Sequence, residues 1–227
     1  MLFLVSCAYD IDYKGGIKGN GIILKENRKV VGDFDTVVAS ENLKVWVSQA
    51  DEFSITVEAD ENIITLIDTN IKDGKLYLQT HENIGRATKK VYVSLPNVSA
   101  LISSTGSILQ TQNIIKGDSL LIDASTGSFL NAKIYVNKVI INGKEGTKLS
   151  VSGEAHKTSI DISSGSNMDA KELQTINCLA KVSYGGSVKI KVSKSLIADA
   201  NTGGNISYIG NPKVDKTKSL SGIVQEY

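Results

Sequence analysis

Ser104-Thr105-Gly106-Ser107 is followed by Ser125-Thr126-Gly127-Ser128, Lys144-Glu145-Gly146-Thr147, Ser164-Gly165-Ser166, Gly185-Gly186-Ser187, Gly203-Gly204-Asn205 and Ser221-Gly222. With Gly106, Gly127, Gly146, Gly165, Gly186, Gly204 and Gly222 as the register, the steps are 21, 19, 19, 21, 18 and 18 residues. Glycine at so even a step is an internal repeat. Each unit carries a short apolar strand before its glycine, such as Leu120-Leu121-Ile122-Asp123 or Ser159-Ile160-Asp161-Ile162, and another after it, such as Lys148-Leu149-Ser150-Val151. One unit of this size cannot shelter its own apolar face, but stacked units share a continuous core, so a period near 20 predicts a β-solenoid with parallel pairing between turns. Glycine then serves a corner that needs positive φ. An antiparallel meander is the rival, supported by secondary turn signals at Asn113-Ile114-Ile115-Lys116-Gly117-Asp118, Asn131-Ala132-Lys133, Gly153-Glu154-Ala155-His156 and Ala170-Lys171-Glu172.

Upstream, the texture differs. Thr36-Val37-Val38-Ala39, Leu43-Lys44-Val45-Trp46-Val47 and Ser54-Ile55-Thr56-Val57-Glu58 alternate as half-buried strands. Asp73-Gly74 between Ile71-Lys72 and Leu76-Tyr77-Leu78 predicts a tight hairpin. Asp60 is placed to cap one helical turn over the apolar residues that follow it. Val91-Tyr92-Val93-Ser94-Leu95 stops at Pro96-Asn97, and this punctuation sets a boundary. The expected organisation is a leader over 1–7, an N-terminal β domain over 8–98 and a repeat domain over 99–227.

Composition narrows the function. The 227 residues carry 25 Lys and Arg against 24 Asp and Glu, a net charge of +1 that provides no field for nucleic acid or an anionic membrane. The two cysteines, Cys7 and Cys178, have no CxxC partner, which excludes the usual zinc and redox spacings. Leu4-Val5-Ser6-Cys7 looks like a bacterial lipobox with Cys7 as the lipid-attachment residue, although only six residues precede it where a secretory signal has a longer apolar stretch. The expectation is a truncated lipoprotein signal, an anchor at Cys7 as the only membrane contact, and Cys178 as a small buried core residue.

Gly32-Asp33-Phe34-Asp35-Thr36-Val37, the stretch Asp51 to Asn62, Ile71-Lys72-Asp73-Gly74-Lys75-Leu76, the recurring Ser-Gly-Ser turns and Tyr208-Ile209-Gly210-Asn211-Pro212 occur in an order that resembles the auto-transporter adhesin family built on the head GIN domain. The resemblance runs from about Gly21 to the C-terminus. Thr-Gly-Ser and Lys-Glu-Gly-Thr stand where that family commonly has Ser-Gly-Ser-Gly, and Ala39-Ser40 where Ser-Gly is usual. The resemblance implies an all-β protein with a right-handed solenoid portion and an extracytoplasmic location, at the outer membrane or cell surface.

Chemistry-bearing motifs are sparse. His81-Glu82 would point to opposite faces of a strand and reads as a solvated loop, and no cofactor or metal site is expected. Asp123, Asn142 and Asp161 each precede a corner glycine by four residues, so stacked turns would align them in an outward row. Asp123 and Asp161 would then lie about 9–10 Å apart, near the upper end of the carboxylate spacing of inverting glycosidases. Solvated residues that discourage sheet aggregation explain the same row without catalysis. Trp46 shares a face with Lys44 and Ser48, which makes it either an interaction anchor or a cover for a core edge. The first reading is a non-enzymatic surface module, an adhesin or envelope-assembly protein with a protein or glycan partner. The alternative is a carbohydrate-binding or carbohydrate-cleaving β-helix protein acting through Asp123 and Asp161.

Overall fold

The computed structural model describes residues 15–227. Its strands in chain order are β1 Ile23–Arg28, β2 Thr36–Ala39, β3 Lys44–Gln49, β4 Ser54–Asp60, β5 Ile67–Lys72, β6 Lys75–Thr80, β7 Lys89–Leu95, β8 Ala100–Ser103, β9 Ile108–Thr111, β10 Ile115–Ala124, β11 Phe129–Gly143, β12 Lys148–Ile162, β13 Asn167–Val182, β14 Ser187–Ala200, β15 Asn205–Ile209, β16 Lys213–Lys218 and β17 Ile223–Glu226. They wind into a β-solenoid of about seven turns. From β8 onward every strand pairing is parallel, which excludes the meander. The turn signals at Asn131, Gly153 and Ala170 are bends inside long strands, and β11 and β12 keep one register with each other along their 15 residues, whereas the signal at Asn113 lies in the break between β9 and β10. Gly153, at φ 108, lets β12 bend so close to β11 that a Cβ there would lie 2.0 Å from the Ile134 carbonyl oxygen. In β13 the register slips between Ala170 and Gln174.

The corners follow one rule. Two successive residues take positive φ, as in Thr105-Gly106, Thr126-Gly127, Glu145-Gly146, Ser164-Gly165, Tyr184-Gly185, Thr202-Gly203 and Leu220-Ser221. The second residue's N–H donates to the carbonyl of the first residue in the next corner, from Asn42 to Thr105 at 2.9 Å through Gly203 to Leu220 at 2.9 Å. The sequence register is therefore corrected at three corners. Gly186, Gly204 and Gly222 occupy the position after the corner pair, where earlier turns have Ser107, Ser128, Thr147 and Ser166, all buried. There two of the hydroxyls bond the previous turn, Ser107 to the Ala39 carbonyl at 2.9 Å and Ser128 to that of Ser103 at 2.8 Å, whereas the Thr147 hydroxyl is buried without a partner. In later turns the backbone comes too near for any side chain: a Cβ on Gly222 would meet the Ala200 oxygen at 2.0 Å.

The chain does not build its stack in sequence order. β8 and β9 rest on β2 and β3, and these rest in turn on β6 and β7, all in parallel. Glu41-Asn42, both at positive φ, makes the first corner without glycine. The boundary expected at residue 98 thus runs through continuous pairing, and one apolar core joins Val37 and Val45 to Ile206 and Val224. Below β6 and β7 the sheet turns antiparallel, with β5 on β6, β4 on β7 and β1 on β4. The Asp73-Gly74 hairpin forms as expected, with φ 50 and 72. The helical turn is a 3-10 turn over Ile64–Leu66 with Ile63 at its cap position and no side-chain cap. Asp60 is directed elsewhere: its carboxylate accepts N–H bonds from Gly21 and Thr88, both at 2.6 Å, tying two loops to the base of the stack. Cys178 is buried, and desolvation pushes its thiol up to about 12. Cys7 lies outside the described residues.

Candidate functional site

Register converts the repeat into columns. On the side formed by the C-terminal parts of β10 to β14, with β16 above, alternate residues point outward while Ile122, Ile141, Ile160, Ala180 and Ala198 are buried. Asp123 pairs with Asn142, Asn142 with Asp161, Asp161 with Lys181 and Lys181 with Asp199. The Asp123, Asn142 and Asp161 row predicted from sequence is present, and it continues into a mixed-charge column. Two turns separate Asp123 from Asp161, about 9.6 Å at ordinary strand spacing, and Asn142 stands between them.

Two further columns flank this one. The middle column runs Leu121, Ile140, Ser159, Leu179, Ile197 and Asp215. Leu179 is 38% exposed and Ile197 53%, large for aliphatic side chains on a folded surface. The outer column runs Ser119, Lys138, Lys157, Asn177, Ser195 and Lys213. The face thus has lysines along one margin, an apolar stripe in the middle and aspartates along the other margin. Sequence reading missed the stripe because Leu179 and Ile197 sit in strands whose core positions are equally apolar.

Trp46 stands on a different face. It pairs with Tyr92 of β7 on one side and Gln110 of β9 on the other. The Trp46 and Tyr92 rings stack at 5.2 Å between centroids with 18° between planes, and both are half-buried. Each ring therefore covers one face of its neighbour.

A third feature lies at the bend beside the Gln174 slip: a cleft of about 410 Å³ lined by Glu154, His156, Gln174, Lys191, Ser193 and Asn211 among others. His156 heads a column in which its Nδ1 lies 3.2 Å from Asn137 Oδ1, and the Asn137 amide donates to Asp118 at 3.1 Å. His81 is remote from it and pairs with Asp68 at 2.6 Å. Among the described residues no three His, Cys, Asp or Glu side chains gather into a metal site. No helix there is long and apolar enough to cross a membrane.

The order of these elements agrees with a known family over most of the chain: residues 33–212 match the family described as putative auto-transporter adhesin, head GIN domain. The chain belongs to this family. Solved structures share its architecture from end to end. A putative adhesin from Parabacteroides merdae ATCC 43184 is 20% identical, with TM-score 0.76 over 93% of this chain and 98% of the other. One from Bacteroides fragilis NCTC 9343 is 18% identical, with TM-score 0.79 over 93% and 99%. A protein described as a putative lipid binding protein, from Parabacteroides distasonis ATCC 8503, is 15% identical, with TM-score 0.73 over 93% and 99%. At such identities the likeness establishes the fold. No curated protein matches the sequence.

Proposed function

We propose that this head GIN domain protein is an extracytoplasmic, non-enzymatic adhesion or envelope-assembly module that binds a protein or glycan at the cell surface through its outward columns. The observation that carries the reading is the stack itself: one hydrogen-bonded corner ladder running from Asn42 to Leu220 holds successive turns in fixed order on a stiff body. Repeated weak contacts along such a body add avidity without a catalytic pocket. Trp46 with Tyr92, and the Asp123, Asn142 and Asp161 column, are the surfaces offered for contact. A lipid on Cys7 would tether the module to a membrane and leave the stack free to project.

The test is binding of the full chain to arrayed glycans and to cell-surface proteins, with Trp46→Ala and Asp161→Ala variants beside it. Binding without turnover that falls at least about tenfold in one variant supports the module. Glycan cleavage abolished in Asp161→Ala would replace it with the carbohydrate-active reading, for which the two-turn spacing of Asp123 and Asp161 stands at the upper edge of the inverting range. Metabolic labelling with a fatty-acid probe, lost in Cys7→Ser, tests the anchor.

A further inference from the structure

The face with lysines, apolar stripe and aspartates has an arrangement that matches itself. Consider two copies placed face to face with a twofold axis parallel to the long axis of the stack. The operation keeps every turn at its own height and exchanges the left and right margins. Lys157 then stands opposite Asp161 of the second copy, Lys138 opposite Asn142, Ser119 opposite Asp123, Ser195 opposite Asp199 and Lys213 opposite Thr217. Lys181, the one cation in the aspartate column, stands opposite Asn177. No charge meets its like across the two margins.

The middle column lies on the axis and meets itself, so Leu121, Ile140, Leu179 and Ile197 come together with Ser159 among them. Asp215 ends the apolar run at the last turn and meets its own copy there, the one like-charge contact of the arrangement. Turning the second copy end for end would instead set Lys157 opposite Asn177 and Asp161 opposite Lys181, but it would put Leu121 against Asp215 and Leu179 against Ser159 and so break up the apolar stripe. Only the parallel arrangement sets the apolar stripe against itself along its length.

We propose that this face is the interface of a parallel, twofold-symmetric homodimer. Six turns at about 4.8 Å and three columns about 7 Å apart give roughly 500 Å² per copy. The total of roughly 1,000 Å² sits at the lower limit for a specific interface, so the dimer is weak and concentration-dependent. The exposed apolar stripe supplies its attraction, and the two symmetry-related Lys157–Asp161 contacts add charge complementarity.

Sedimentation of the full chain in a Cys7→Ser background, up to about 0.5 mM, reads the equilibrium. Lys157→Glu and Asp161→Lys are each expected to weaken association about tenfold, and the double variant to restore it, because the swapped pair faces itself again. Leu179→Asp is expected to abolish it. These side chains are exposed or half-exposed, and thermal melts followed by circular dichroism confirm that the variants fold. Ser159→Cys, on the axis, is expected to form a disulfide-linked dimer, whereas Ser54→Cys on the remote strand β4 is not. A chain that stays monomeric throughout, an association indifferent to the charge reversals, or cross-linking as efficient at position 54 as at 159 overturns the proposal. It is also overturned if Leu179→Asp removes binding of a glycan or another protein while no self-association exists.

Discussion

Gly204 packs directly against Val182 of the preceding turn: a Cβ built on it would lie 2.1 Å from the Val182 carbonyl oxygen. The same position holds a buried serine or threonine in four earlier turns, so glycine here is a requirement of distance, not of dihedral angle. Gly204→Ala is expected to cost about 3 kcal/mol in denaturant unfolding, because backbone atoms must move to admit the methyl group. Ser128→Gly, at the equivalent position in a roomier turn, is expected to cost about 1 kcal/mol through the lost bond to Ser103. Equal costs at the two positions would contradict this account.

Tyr184 holds φ 49 at a corner while 65% exposed. An ordinary side chain pays about 1–2 kcal/mol for that conformation, and glycine escapes most of it while losing about 0.5–1 kcal/mol to chain entropy. Tyr184→Gly is therefore expected to raise stability by about 0.5–1 kcal/mol, with a higher melting temperature as the readout. A lower melting temperature would show that the ring makes contacts that outweigh its backbone strain.

Asp60 is almost wholly buried and receives two charge-assisted N–H bonds from separate loops. Asp60→Ala leaves those donors unpaired and is expected to cost about 3 kcal/mol. Hydrogen exchange should show the amides of Gly21 and Thr88 losing protection, with the upper turns unaffected.

Glu58 makes a 2.7 Å bond with Lys90 and a 3.0 Å bond with Lys25, and these, Lys90 first, hold its carboxyl below the ordinary 4.5. The unfolded chain lacks both bonds and takes up the proton at higher pH than the folded one. The stabilisation is thus complete above about pH 4.5–5 and is lost as pH falls through the lowered folded value. Glu58→Gln is expected to be less stable at pH 7 and to show a flatter loss of stability between about pH 5 and 3. Parallel acid limbs in the two proteins would exclude Glu58 as a source of acid sensitivity.

The repeat was legible because Gly106, Gly127, Gly146 and Gly165 combine positive φ with an even step. At the last three corners two small residues stand together, and sequence alone does not say which one turns. That Thr105, Thr126 and Tyr184 also adopt positive φ carries no sequence signal, because the ladder of corner hydrogen bonds imposes it against their preference. The stacking of β2 and β3 under β8 and β9 was hidden by more than 60 intervening residues. The Asp123 column was visible from alternation, whereas the neighbouring stripe needed the register to separate inward from outward aliphatics.

Because β2 and β3 lie between partners that are translated after them on both sides, these inner strands leave the ribosome before either neighbouring layer. One rim of their layer can be covered once β6 and β7 have emerged at residue 95, the other stays bare until residue 111, and the tower then extends in one direction only, toward its C-terminal end. Any chaperone or translocation machinery that handles the nascent polypeptide meets unsatisfied amides at that stage, so the earliest strands, rather than the free end of the finished rod, are where misassembly begins.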